Sequence, residues 1–178
     1  GGPMLFVLPA EHVSVEAIAS LGFRAAAPGK VTLIEVRADA AACVAKGDEA
    51  RAALERAELA ATIGAGALAV GFAAASVDAS VRHSHERIAF GKPLYRQQAV
   101  AHKLVESRRR AEGGRHLVWH AARQVDLGVP FAECRATACM AKLNSVEAAV
   151  FAADEGIQVH GGYGYVGEYH VERHYRDA

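Results

Sequence analysis

The chain has 178 residues, 52% of them hydrophobic, and its 20 Lys and Arg are balanced by 20 Asp and Glu. That length suits one domain or a domain with part of another, with enough apolar material for a core. Zero net charge gives no basic footprint for nucleic acid. Three cysteines make no disulfide framework, so reduced thiols are expected, with Cys134 and Cys139 buried, in a reducing compartment such as the cytoplasm or mitochondrial matrix.

In chain order, Gly1-Gly2-Pro3 reads as a cut end, and Met4 to Leu8 predicts a short buried strand stopped by Pro9. Leu21-Gly22-Phe23-Arg24 and Pro28-Gly29 carry turn chemistry, and the β-branched run Lys30 to Val36 predicts a second strand. Two or three strands make no stable sheet alone. Residues 1–46 are therefore expected to be the C-terminal part of a β domain. Gly47-Asp48 marks a boundary, with Asp48 as N-cap.

From Glu49 to about Arg87 the pattern is helical, which predicts a rod of roughly 55 Å. Its uncharged stretch, Leu59 to Val77, is 19 residues and long enough to span a bilayer. Eight of those residues are Ala and three are Gly, leaving little to favour lipid. A helix buried on all sides in a bundle is expected instead, and no membrane span. The helix breaks at Phe90-Gly91-Lys92-Pro93, with Pro93 at the next helix start.

From Gln97, Val100, Leu104, Ala111, Leu117 or Val118, Ala121 and Val125 recur at helical spacing. Gly113-Gly114 is expected to weaken or kink this helix, and Gly128 to close it. Pro130 opens a third helix, whose inner stripe runs from Phe131 through Cys134, Ala138, Ala141, Val146, Ala149 and Ala153 to Ile157. It ends at Gly161-Gly162, and a short helix follows from Val171. Short connections imply antiparallel neighbours. The expected fold is mainly α: an antiparallel up-and-down helical bundle over 47–178, preceded by a fragment of a β domain.

Several residue sets invite chemistry. Gly162-Tyr163-Gly164-Tyr165-Val166-Gly167 has the form G-x-G-x-x-G, but a helix precedes it where a dinucleotide fingerprint needs a strand. Bare glycine backbone still lets a ligand come close. His116 with His120, and His170 with His174, are i,i+4 pairs lacking a third ligand, so no metal site is expected. Arg87 and Lys92 flank Phe90, a combination that suits a phosphate and a flat ring. An ordinary helix end, with Arg87 paired to a carboxylate, explains the same spacing.

Two stretches carry a family resemblance. Glu86-Arg87-Ile88-Ala89-Phe90-Gly91-Lys92-Pro93-Leu94, with Gln98, resembles a segment of the acyl-CoA dehydrogenases. So does Ile157-Gln158-Val159-His160-Gly161-Gly162-Tyr163-Gly164-Tyr165, with Glu168-Tyr169, Glu172-Arg173 and Arg176-Asp177-Ala178. The resemblance implies an FAD-dependent enzyme that desaturates an acyl-CoA thioester and passes electrons to an electron-transfer flavoprotein. It implies a homo- or hetero-oligomer, a dimer or tetramer. FAD would be held by Arg87, Phe90, Gln98, Gln158, Gly161 and Gly162, with Arg87 and the glycine loop meeting across paired protomers. The family's catalytic glutamate has no match here. In one subgroup it would fall near Ala61 and Thr62, so no catalytic residue is named. A non-catalytic, FAD-supporting partner subunit is the alternative, followed by a cofactor-free helical interaction domain.

Overall fold

A computed structural model describes residues 2–178, which divide between Glu58 and Leu59 into two compact units. In the first unit, β1 (Met4–Phe6) pairs antiparallel with β4 (Cys43–Lys46), and β2 (Ser14–Ala17) with β3 (Gly29–Thr32). β2 and β4 have no forerunner in the sequence reading. The predicted strand at 30–36 ends early, because Glu35 turns into the left-handed region with φ 48°. No residue from Gly2 to Lys46 is buried, so β1 is not the buried strand expected. Two-stranded pairs expose both faces, leaving Val15, Leu21, Val31 and Ile34 more than half exposed.

The first long helix, α1 (Gly47–Glu86), opens on Gly47 at φ 58° and carries Asp48 and Glu49 in its first turn. Acidic groups there complement the helix dipole. Its 40 residues amount to about 60 Å.

The second unit is built on the later part of α1 with α2 (Gln98–Asp126) and α3 (Phe131–His160). Direction follows from the core. Leu59 and Val70 of α1 meet Val118 and Ala121 of α2 and Cys134, Ala138 and Ala141 of α3. Further along α1, Ala69, Ala73 and Val77 meet Ala111, Ala149 and Ala152. Residue numbers thus rise together on α1 and α3 and fall on α2, the up-and-down arrangement expected.

Small residues set how closely the helices approach. A Cβ on Gly66 would lie 3.1 Å from Val118 Cγ2 and 3.3 Å from Lys142 Cα. One on Gly114 would lie 2.9 Å from Ser145 Oγ and 3.3 Å from Ser145 Cα. Despite Gly113-Gly114, α2 runs unbroken from Gln98 to Asp126. Packing on α3 holds the backbone that propensity alone would loosen.

α1 is also not buried all round. It is the one helix among the described residues long and apolar enough to cross a membrane, yet only 33% of its most apolar 18-residue window is buried. Ala61, Ala65 and Leu68 stay exposed. Cys134 is buried and bonds the Val129 carbonyl at 3.2 Å, whereas Cys139 is exposed, correcting the expectation for that thiol. A separation of five residues turns about 140° around a helix, so the two thiols cannot share a face.

Candidate functional site

α1 and α3 point the same way, so their C-terminal ends lie together at one end of the bundle. α1 hands over to a hairpin, β5 (Ile88–Ala89) and β6 (Lys92–Pro93), joined by Phe90 at φ 53° and Gly91 at φ 76°. Left-handed backbone at both positions is the hairpin geometry that matches strand twist. Pro93 thus closes a strand and also caps the short helical turn that follows. A tight turn, Leu94–Arg96, precedes α2. α3 ends on Gly161, at φ 60° and ψ −133°, which only glycine adopts without strain. The chain then turns through Gly161–Tyr165 and Gly167–Tyr169 into α4 (Val171–Asp177). Gly164 seats this loop on α3, where a Cβ would stand 2.7 Å from the Ile157 carbonyl oxygen.

Between these ends lies a groove of about 530 Å³, lined by His83, Arg87, Leu94, Val100 and residues 158–163 with Val166. Of the predicted site residues, Arg87, Gln158, Gly161 and Gly162 line it together. One chain brings them together, so the expected meeting across protomers is not required. The cause is connectivity: two parallel helices end side by side. Phe90 and Gln98 do not line the groove. Phe90 stands at the hairpin tip, 94% exposed, and Gln98 is exposed at the start of α2.

Arg87 is exposed and, among the described residues, has no carboxylate partner. Its guanidinium carbon lies 5.7 Å from the centre of the Tyr163 ring. Neither Gly161 nor Gly162 would bring a Cβ within 4 Å of another residue. At Gly162, with φ in the ordinary range, neither packing nor backbone strain calls for glycine. An unpaired guanidinium beside open backbone fits an anionic ligand with a diphosphate. Both helices present C-terminal ends here, whose partial negative charge opposes an anion. Arg87 must therefore supply the attraction.

Sequence reading missed the floor of this groove. His83 and His160, both buried, stack with ring centres 4.2 Å apart and planes 22° apart. Tyr169 meets both edge-on, at 5.8 and 5.9 Å. His160 Nδ1 contacts the Gly156 carbonyl oxygen at 2.8 Å, which requires the proton on Nδ1. Burial, then His160 and then Arg87 lower the His83 pKa, and only Glu86 pulls upward. Burial lowers that of His160 against its bond to Gly156. Two signals existed: His83 stands one turn before Arg87, and His160 directly precedes Gly161.

Elsewhere, a groove of about 480 Å³ is lined by Ala61, Thr62, Ala65, Cys139, Lys142 and Leu143. No carboxylate lines it, so the described side chains supply no base at the one helix position that the resemblance marked. His116 packs edge-on against Trp119. Among the described residues no three His, Cys, Asp or Glu side chains gather to hold a metal ion.

The family description "Acyl-CoA dehydrogenase, C-terminal domain" matches residues 53–178. The chain is 42% identical over 118 residues to acryloyl-CoA reductase (NADH) of Anaerotignum propionicum, covering 66% of this chain and 29% of that protein. It is 42% identical over 116 residues to an acyl-CoA dehydrogenase of Bacillus subtilis (strain 168), covering 65% and 30%. It superposes on butyryl-CoA dehydrogenase of Megasphaera elsdenii with a TM-score of 0.88 and 29% identity, covering 99% of this chain and 46% of that one. The chain thus spans about a third or less of the length of these sequence relatives.

Proposed function

The chain belongs to the acyl-CoA dehydrogenase family, and from that we propose that it forms part of an FAD-dependent enzyme desaturating an acyl-CoA thioester. Electrons leave to an electron-transfer flavoprotein, and the protein works as a homo- or hetero-oligomer. The observation that carries the cofactor reading is the groove in which unpaired Arg87 faces the open backbone of Gly161 and Gly162.

Bound FAD would supply the acceptor for the hydride. This chain's residues would hold and orient it. Arg87 would give the diphosphate charge-assisted hydrogen bonds, with its guanidinium lying beside the Tyr163 ring. The glycine backbone admits the ligand close to its N–H groups. Gln158 supplies a side-chain amide at the rim, and Leu94, Val100, Val159 and Val166 exclude water. Phe90 and Gln98, outside this groove, are assigned to FAD held against a second protomer.

The equal identity to a protein named as a reductase favours a second reading, reduction of the corresponding enoyl-CoA. One experiment separates the two. The full-length protein is loaded with FAD, and the flavin absorbance is followed while acyl-CoAs of graded length are added. Bleaching supports the dehydrogenase. With no bleaching, reoxidation of pre-reduced flavin by enoyl-CoAs supports the reductase. Silence in both arms overturns the proposal.

A further inference from the structure

We propose that the stacked pair His83–His160 is the proton-taking part of this groove, so that a diphosphate cofactor beside Arg87 binds together with one proton on the pair. This rests on the reading of the groove as a flavin nucleotide cradle.

The geometry is specific. Both imidazoles lie in the last turns of their helices, His83 on α1 and His160 on α3. A helix C-terminus favours a cation on its last turn. Both rings line the same groove as Arg87, Gly161 and Gly162. From α1 the pair is faced by Arg87 and Glu86, and from the loop after α3 by the ring of Tyr169. From the α2 side, Leu94 and Val100 bring no charge.

Burial lowers the pKa of both rings, and two further influences lower that of His83: the neighbouring imidazole and the Arg87 guanidinium. A diphosphate changes one of them. It neutralises Arg87 and adds negative charge on the same face, so the charged form of an imidazole is favoured. At a ring separation of 4.2 Å a second proton would meet the first, so the pair takes one. His160 already donates from Nδ1 to Gly156, and gaining a proton on Nε2 leaves that bond intact. Linkage then requires affinity to rise as pH falls, because the bound state carries more protons.

FAD is the suitable probe, because its diphosphate bridge keeps its charge across this range and any pH dependence belongs to the protein. Affinity of the full-length protein for FAD is measured from pH 8 to pH 6. Proton uptake is read by calorimetry in buffers of different ionisation enthalpy. The expected result is tightening of about 5- to 10-fold, within the limit of about tenfold per pH unit set by one proton. Uptake should be between half and one proton near pH 6.5. His83→Phe and His160→Phe keep a ring in the stack. Combined in one chain, the two substitutions are expected to flatten the profile.

Flat affinity with no uptake in the parent protein overturns the proposal while the cofactor reading stands. So does an unchanged slope in the combined variant. No FAD binding at pH 8 overturns both. The calorimetric result needs no variant, so a misfolded substitution does not decide the matter.

Discussion

Glycine does opposite work at the waist of the bundle and at its groove. At the waist, Gly66 and Gly114 are crowded, with side chains and backbone of neighbouring helices waiting where a Cβ would go. At the groove, Gly161 and Gly162 look onto open space. The first pair lets helices close on each other, so its role is fulfilled inside the fold. The second leaves room that the chain itself does not fill. Crowding at the first pair should show in stability, and the space beside Gly162 should show in binding.

The sharpest break in that comparison is Gly114→Val. Overpacking against Ser145 is expected to cost about 3 kcal/mol, read as a lower midpoint in denaturant at unchanged slope. A midpoint equal to the parent would show that the waist is looser than its distances imply. Next is Arg87→Ala, expected to weaken FAD binding about 30-fold, or about 2 kcal/mol, with thermal stability held. Equal losses of affinity and stability would make Arg87 a structural residue.

Gly162→Ala is expected to weaken FAD about fivefold, near 1 kcal/mol, again at constant stability. Gly113→Ala tests the rule from the other side. Gly113 is the immediate neighbour of Gly114, yet it is exposed with nothing in the way. Alanine there should stabilise α2 by about 0.5–1 kcal/mol.

The smallest expected effect is in pH. His83 and His160 fold with lowered pKa values, so the unfolded chain binds more protons below its ordinary histidine range. Stability of the FAD-free protein should be full above about pH 6.5 and fall as pH drops below it. Melting at pH 7.5 and 5.5 checks the sign. A rise in melting temperature on acidification would contradict it.

Much of this was legible before any coordinates. The bundle could be read because apolar residues recur at helical spacing along α2 and α3, with Gly128 and Pro130 marking their junction. The groove could be read in part, because Arg87 and Gly161-Gly162 sit at helix ends. What stayed hidden depends on partners distant in sequence. Nothing local to Gly114 says that Ser145, 31 positions away, packs against it. Nothing local to His83 says that its ring stacks on a residue 77 positions later. The paired strands β2 and β4 failed for the opposite reason. Their sequences are short and mixed, and no burial disciplines their pattern.

The hairpin between α1 and α2 carries a liability of its own. Phe90 keeps a bulky aromatic residue in left-handed backbone, an arrangement that costs of order 1–3 kcal/mol, and its ring finds no apolar cover in this chain. Asparagine would sit there more comfortably. Directed evolution for heat tolerance alone would discard this phenylalanine early. A screen demanding whatever the ring touches would retain it, so the fate of one codon under the two regimes reads out what the tip is for.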